Sequence, residues 1–323
     1  MAAEKWYGSN YGVIKAFVTD PFDERGGRNP QGSIYFSGNG IIYSYGDHFP
    51  MATVLTLQKT IAGFPRLRFF LVNGDGSTAT TSKHRNDLFI CLRREIGVLS
   101  YAVVPFSSLG QAFRLGPRGG WQINKRTAEA ARDRLEVVDH KEDYWETKKV
   151  WVTDKETGKK ELKDVQEHFL GATLLTTGDE YFLSGIDSSG RDPRGMYFLT
   201  KLPRPATSVS DAYEAIKPEG LNGETYIRQG EWFLVPQNGM KKPREVPLEK
   251  KVLLENRGRL EREWRHIATE GFKLDGIQYV RGTVRHPEHK MISLGNIWHR
   301  AYEATGAGTN LAIVSWSASG SFD

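Results

Sequence analysis

The first third of the chain alternates short apolar runs with turn-forming residues, a pattern that predicts strands joined by tight turns. Residues 33–37 and 41–45 are β-rich runs on either side of Gly-Asn-Gly at positions 38–40. Asn-Gly between such runs indicates a hairpin, because a type I′ turn needs positive φ at both central positions. Residues 68–72 predict a further strand, and so does the apolar run at residues 13–18.

Helical spacing of apolar residues predicts helices later in the chain. One begins after Ser82 as its N-cap and ends at Gly97, and a second follows Thr127. A short helix is predicted at residues 211–217. The longest helical stretch is residues 247–271, although a glycine at its centre weakens it.

Most other apolar runs predict hairpins. Residues 180–184 and 196–200 form one pair, and residues 226–228 and 232–235 form another. A highly charged stretch predicts an exposed hairpin across residues 149–162. Because strands outnumber helices and come mostly in hairpins, we expect an α+β fold of predominantly antiparallel strands with three or four helices.

The same pattern divides the chain into three regions. Residues 1–140 are predicted to form a strand-rich N-terminal α+β region. Residues 141–165 form a charged protruding hairpin or linker, and residues 166–323 form a C-terminal α+β region. No internal repeat of fixed period is present.

Composition indicates a folded protein of a reducing compartment. Of the 323 residues, 39% are hydrophobic and 11% aromatic, which is enough for a core. The single cysteine, Cys91, excludes an intrachain disulfide and every thiolate-rich zinc or iron–sulfur site. Cys91 lies in an apolar run, so we expect a small buried side chain there rather than a nucleophile.

No segment of the sequence predicts a membrane partner. No apolar run approaches the roughly 20 residues of a membrane span, and the first residues lack the charged-then-apolar form of a signal peptide. We therefore expect a cytoplasmic protein, in the host cytoplasm if the gene is phage-encoded. The sequence leaves self-association open.

The net charge of +5 is concentrated near the C-terminus. Residues 241–300 hold 14 Lys and Arg against 8 Asp and Glu. Such a region suits a nucleic-acid backbone, and the alternative is a solvated helix of mixed charge. The candidate nucleic-acid contacts here and near the predicted helix at Ser82 are Lys83, Arg85, Arg257, Arg262, Arg265, Lys273, Arg281 and Arg285.

Three histidines form the sharpest chemical feature. His286, His289 and His299 lie in a His-x-x-His pair with a third histidine ten residues on. Imidazole is the commonest transition-metal ligand, so this spacing predicts a divalent transition-metal or catalytic site, with Asp275 or Glu288 assisting. The alternative is that the histidines pack separately and form local hydrogen bonds.

Residues 273–276 read Lys-Leu-Asp-Gly, a match to the Lys-x-Asp-Gly motif of covalent nucleotidyltransferases. Only 47 residues follow Gly276, too few for the acidic and basic segments that such enzymes carry after the motif. Asp-Gly also simply makes a turn. A nucleophile elbow, a phosphate-binding Walker loop and a dinucleotide fingerprint are absent from the sequence.

Two further histidines, His48 and His84, lie in polar surroundings. His84 belongs to a hydroxyl-rich helix start, where free backbone amides and the helix dipole favour an anion, and Lys83 and Arg85 would reinforce a phosphate site. The alternative is ordinary capping by Ser82 with two solvated cations.

The segments at residues 42–50 and 80–84 resemble motifs of an uncharacterised family from bacteriophages, plasmids and some bacterial genomes. In that family a Tyr-Ser-Tyr-Gly-x-His-Phe-Pro segment precedes a Thr-Thr-x-Lys-His segment, and residues 181–184, 197–199 and 285–299 resemble its later blocks. The resemblance covers most of the chain. It implies a mobile-element context and no particular activity.

Three hypotheses follow from the sequence. The first is a phage- or mobile-element-associated protein that contacts nucleic acid through residues 241–300. The second is a histidine-metal-dependent hydrolase of the nuclease type. The third is a structural or accessory virion protein that uses the charged hairpin as a contact element. The sequence alone leaves open whether the chain is an enzyme.

Overall fold

The structure is a computed structural model of the whole chain. It describes residues 4–47, 49–55, 68–75, 78–95, 101–115, 121–141, 144–153, 160–169, 171–187, 196–221, 224–254, 266–287, 289–304 and 316–317. Within these residues the helices are α1 Asn10–Thr19, α2 Ala79–Glu95, α3 Phe106–Ala112, α4 Trp121–Arg134 and α5 Val209–Ile216.

The described strands fall into four sheets. The first sheet contains β1 Lys5–Trp6, β2 Gly27–Arg28, β3 Ile34–Phe36, β4 Ile41–Ser44, β5 Pro50–Leu55, β6 Phe69–Asn73 and β7 Tyr101–Val104. Of the next strands, β8 Glu136–Lys141 belongs to the third sheet, and β9 Tyr144–Thr153 pairs with β10 Lys160–Phe169 to form the second. The third sheet also contains β11 Ala172–Thr176, β12 Tyr181–Asp187 and β13 Met196–Lys201. The fourth sheet contains β14 Ile227–Gln229, β15 Trp232–Pro236, β16 Glu249–Leu253, β17 Ile267–Leu274, β18 Ile277–Arg285 and β19 Ile292–Glu303, and the last strand, β20 Trp316–Ser317, joins the third sheet. The described strands outnumber the described helices and most strand pairs are antiparallel, so the α+β prediction is confirmed.

The N-terminal sheet has strand order β1 to β7 and is buried on both faces. Phe69 and Leu71 of β6 belong to one buried cluster, whereas Phe70 and Val72 belong to the other. Successive strand residues point to opposite faces, so a strand covered on both sides is apolar throughout. Helices α1 and α2 cover one face. The other is covered by α3, α4 and part of the neighbouring sheet.

The hairpin predicted at Gly-Asn-Gly is confirmed, because Phe36 pairs with Ile42 across it. Its turn is not type I′, because Gly38 and Gly40 have positive φ but Asn39 between them does not. The strand predicted at residues 13–18 is wrong: these residues lie in α1. Val13, Ile14 and Phe17 share one buried helical face, and Ser9 caps the helix by accepting a hydrogen bond from the Gly12 amide at 3.1 Å. The β-branched residues suggested a strand, but the i, i+4 spacing and the cap decide for a helix.

Other boundaries shift toward longer helices. Helix α2 begins at Ala79 rather than after Ser82, and α4 begins at Trp121 rather than after Thr127. Helix α5 is capped by Ser208, whose hydroxyl accepts from the Asp211 amide at 3.1 Å. The predicted C-cap at residue 97 lies outside the described residues.

The middle sheet has strand order β20-β13-β12-β11-β8, and it packs against the N-terminal sheet. Leu175, Phe182 and Leu199 join the same buried cluster as β4, β6 and β7, and Ser184 donates a hydrogen bond to the Val103 carbonyl at 2.8 Å. This core crosses the boundary predicted near residue 140. The charged hairpin is present as β9 and β10, a two-stranded sheet in which ten residues of each strand pair.

The C-terminal sheet has strand order β14-β15-β19-β18-β17-β16. The helix predicted at residues 247–271 is wrong at both ends, because β16 and β17 of this sheet occupy them. Residues 255–265 lie outside the described residues. The Lys- and Glu-rich sequence of β16 favours a helix locally. Pairing with β17 overrides that preference.

The C-terminal sheet curls because β19 carries a large bulge. Val280 pairs with His299 and Gly282 pairs with Gly295, so residues 296–298 lie opposite a single residue of β18. A bulge bends its strand and increases the local twist. As a result the two ends of the sheet approach each other, and residues from β15, β16, β18 and β19 share one buried cluster that includes Trp232, Leu234, Val252, Val284 and Leu294.

No helix among the described residues is long and apolar enough to cross a membrane.

His140 in β8 predicts an acid-sensitive component of stability. Its Nδ1 lies 2.8 Å from Thr173 Oγ1, and the Phe69 ring meets it edge-on with 5.2 Å between ring centroids. Burial lowers the pKa of His140 from 6.5 to about 4. The unfolded chain therefore takes up the proton first as the pH falls, and stability present above about pH 6.5 is lost as the pH drops toward 4, on the order of 3 kcal/mol in total.

We expect His140→Gln, which cannot take up this proton, to reduce the fall in unfolding free energy between pH 7 and pH 5 by about 2 kcal/mol. Urea denaturation of the wild type and the variant at both pH values measures the difference. An equal pH dependence in the two proteins would contradict the assignment.

Candidate metal centre

Three buried histidines converge at one end of the C-terminal sheet. One ring nitrogen from each of His266, His286 and His289 lies within 4.8 Å of the others. The ring centroids are 4.3 Å apart for His266 and His286, 4.6 Å for His286 and His289, and 5.2 Å for His266 and His289. The three residues are 1%, 3% and 3% exposed, so the cluster lies inside the protein.

Strand register places the first two histidines side by side. Ile267 of β17 pairs with Arg285 of β18, so the next position in the same register sets His266 opposite His286. The Leu254 amide donates a hydrogen bond to the His266 carbonyl at 2.9 Å and keeps this residue in line with the sheet. His289 comes from the short connection between β18 and β19.

The turn between β14 and β15 closes over the cluster from the other end of the curled sheet. Gln229 donates from Nε2 to the Lys290 carbonyl, next to His289. A Cβ atom on Gly230 would lie only 2.7 Å from His289 Nε2, so the backbone of the turn touches the imidazole. Glu231 places Oε1 3.7 Å from His266 Nδ1. Three consecutive turn residues thus reach the cluster or the connection that carries it.

This arrangement has the chemistry of a transition-metal site. Imidazole nitrogens bind zinc at roughly 2.0–2.1 Å, which sets two ligands of a tetrahedral ion about 3.4 Å apart. The three histidine nitrogens need small movements to reach that separation. The His266 ring is stacked at 21° to both the His286 and the His289 ring, whereas a shared ion lies in the plane of each ring that binds it. Binding would therefore also turn the rings about χ2. Glu231 adds a buried carboxylate, whose oxygen atoms are also ligands that zinc accepts.

The structure brings together two of the three histidines predicted from spacing and replaces the third. His299 is buried in β19, where its Nδ1 lies 2.9 Å from the Ile297 carbonyl. It pairs with Val280, five residues before the end of β18, or roughly 17 Å along the strand from that end. His266 takes its place in the cluster. Only the pairing register of β17 with β18 places His266 there, and the sequence predicted a helix for that stretch.

Asp275 lies far along the sheet from the cluster. It forms the turn between β17 and β18 with Gly276, and both residues have positive φ, 51° and 76°, as a type I′ turn requires. Nine residues of β18 separate this exposed turn from His286. The Lys-Leu-Asp-Gly sequence therefore makes a hairpin turn, with Lys273 exposed beside it. Glu288 lies outside the described residues.

The two N-terminal motif segments meet around His84. Ser44 Oγ lies 2.9 Å from His84 Nδ1 and 3.3 Å from Thr81 Oγ1, and the Tyr45 ring stacks on the imidazole. Burial lowers the pKa of His84, so its neutral form is favoured. His48 lies outside the described residues.

Near the same helix start, the two predicted phosphate contacts differ. Arg85 is buried and donates to the carbonyls of Asn73 and Asp75 at 3.0 and 2.9 Å. Its guanidinium therefore fixes a loop in the interior. Lys83 is exposed, so its ammonium faces solvent. Cys91 is buried in the cluster that includes Leu88 and Leu92, as expected.

The structure describes three of the basic residues predicted near the C-terminus, Lys273, Arg281 and Arg285. Arg257, Arg262 and Arg265 lie outside the described residues, and Arg285 is exposed. Arg281 forms an ion pair with Glu270 at 2.7 Å and stacks over the Trp298 ring at 4.4 Å. Tyr279 stacks on Phe272 in the core.

A cleft of about 280 Å³ opens beside Arg281, at the bulge of β19. Its lining residues are Met240, Lys241, Lys242, Leu248, Arg281, Asn296 and Trp298. Lysines therefore reach this cleft from the connection that follows β15. It combines positive charge with the side chain of Trp298.

No protein-family model, curated protein or solved structure matches this chain. The likeness to a phage and plasmid family therefore stays a prediction from its motifs.

The close approach of Gly230 to His289 predicts a strong effect of Gly230→Ala. The added Cβ would lie 2.7 Å from a buried imidazole, and φ is +57°. We expect a loss in unfolding free energy of about 2–4 kcal/mol from crowding together with backbone strain. Urea denaturation measures it.

Gly295→Ala is the matched control, because Gly295 has φ +60° and nothing within 4 Å of its Cβ position. We expect only the strain, about 1 kcal/mol. Equal losses in the two variants would show that the turn does not press on the histidine cluster.

Proposed function

We propose that this protein is a metalloprotein that binds one zinc ion through His266, His286 and His289. The observation that carries the proposal is that one ring nitrogen from each of three buried histidines, one before β17 and two after β18, lies within 4.8 Å of the others. Imidazole nitrogens are the commonest protein ligands of transition metals, and three of them this close together can bind one cation.

The ligand set favours zinc over other common ions. Three imidazoles suit zinc and neighbouring transition metals, whereas magnesium and calcium prefer sites made of oxygen ligands. The only cysteine of the chain is buried against Leu88 and Leu92 in the N-terminal cluster. A site of nitrogen and oxygen donors therefore fits the region around His266.

The burial of the cluster bears on the hydrolase hypothesis. A hydrolytic zinc ion needs an open position for water and substrate. Here each histidine is at most 3% exposed, and the β14–β15 turn lies directly against His289. Metal binding is therefore the proposal, because hydrolysis would require a path for water and substrate to the buried histidines.

A second candidate function is contact with a nucleic-acid backbone at the cleft beside β19. Residues 240–251 carry five Lys and Arg against two Glu, and the cleft adds Arg281 stacked on Trp298. Phosphate groups recruit such cations, and an arginine face accepts a stacked base.

The zinc proposal predicts one equivalent of zinc per chain. We expect chelator-treated full-length protein to take up one zinc ion, and we expect the double variant H286A/H289A to lose this binding because only one histidine of the cluster is left. Isothermal titration calorimetry measures the stoichiometry, and elemental analysis of purified protein checks it.

His299→Gln is the control, since His299 is a buried histidine of the same sheet outside the cluster. It should bind zinc as the wild type does. His289→Asn provides a milder second variant that should weaken binding while keeping a polar side chain. Unchanged binding in both cluster variants, or no stoichiometric zinc in the wild type, would sink the proposal.

The nucleic-acid candidate predicts salt-dependent binding that Lys241 strengthens. We expect Lys241→Ala to weaken binding of fluorescent single-stranded oligothymidine and to lower the slope of log affinity against log salt by about 0.7, the loss of one phosphate contact. Lys15→Ala, an exposed site on α1, removes the same charge and should leave the slope unchanged. Absence of binding at low salt, or equal slopes, would rule out this cleft.

A further inference from the structure

The β14–β15 turn covers the histidine cluster and also places a carboxylate beside it. Glu231 is 6% exposed, and its Oε1 lies 3.7 Å from His266 Nδ1. That separation is near the roughly 3.4 Å between two ligands on one tetrahedral zinc ion. Gly230 and Gln229 fix the turn against His289 and Lys290, so Glu231 is held at the rim of the cluster.

Resting on the zinc site proposed above, we propose that Glu231 is the fourth protein ligand and closes the coordination sphere. Three neutral imidazoles and one carboxylate carry a single negative charge, which a divalent ion more than offsets. Binding would draw the carboxylate from the side of His266 toward His286 and His289. Four protein ligands leave no position for a catalytic water, which is the pattern of a structural zinc site.

The identity of the four ligands gives the ion a mechanical role. Glu231 precedes β15, His266 precedes β17, and His286 and His289 lie between β18 and β19. Strands β15 and β17 are not neighbours, because β19 and β18 stand between them in the sheet. An ion shared by these residues therefore fastens the sheet where it curls onto itself. The site would act as a clamp on the C-terminal sheet.

Cobalt substitution tests the ligand count on the full-length chain. A four-coordinate cobalt site gives intense visible absorption, and a site with no open position does not respond to added azide. We therefore expect the cobalt spectrum of the wild type to be unchanged by azide. Glu231→Ala should open one position, make the spectrum respond to azide, and weaken zinc binding by at least about 100-fold, the upper end of what loss of an outer-sphere partner costs.

Two further variants make the result specific. Glu249→Ala removes an exposed carboxylate of β16 in the same sheet and should behave as the wild type does. Glu231→Gln keeps the size of the side chain and should fall between the wild type and Glu231→Ala in zinc affinity.

The outcomes separate the two proposals. If no cobalt or zinc binds the wild type, the metalloprotein itself is wrong. If cobalt binds, but the wild-type spectrum already responds to azide and Glu231→Ala binds zinc as tightly, the ion is held by histidines alone. The clamp is then wrong, and an open site of the hydrolytic kind takes its place.

Discussion

The bulge of β19 is the constraint on which the C-terminal half of the structure depends. Three residues of β19 face one residue of β18, and the strand bends there so strongly that the start of β15 reaches the connection between β18 and β19. A flat sheet with the same pairing would keep these segments far apart. The apolar cluster around Trp232 and Val284 fills the resulting curl. The histidine cluster lies where the turn before β15 meets the connection between β18 and β19, so the chemistry of the site follows from the curvature of the sheet.

The N-terminal half follows a different rule. Its sheet is flanked on both faces by apolar layers, so that alternate residues of one strand enter two different cores. Several buried polar groups inside this half form hydrogen bonds with one another or with the backbone. Asn73, for example, donates to the Pro50 carbonyl at 3.0 Å and accepts from the Asp75 amide at 2.9 Å. Satisfied in this way, such groups fix loop geometry and leave little chemistry for a ligand.

Local patterns in the sequence predict what depends on local physics. The Asn-Gly hairpin, the paired strands around Leu183 and Phe198 and the burial of Cys91 are of this kind. Residues 13–18 misled because β-branched side chains suit both a strand and a buried helical face. His286 and His289 were identified because they are close in sequence. His266 was missed, because only the register of β17 against β18 places it beside them. The pairing register of two strands cannot be predicted from a short stretch of sequence.

The contact between Gly230 and His289 also orders events in folding. Fifty-nine positions of sequence separate the two residues, so the turn can dock only after the intervening strands have paired. Before that moment the unfolded chain presents just the His-x-x-His pair as a local chelator, and a complete ligand set does not exist. Capture of an ion would therefore be a late step. Once the turn has docked, release would require the contact between Gly230 and His289 to open, so an ion bound there would exchange slowly with solvent.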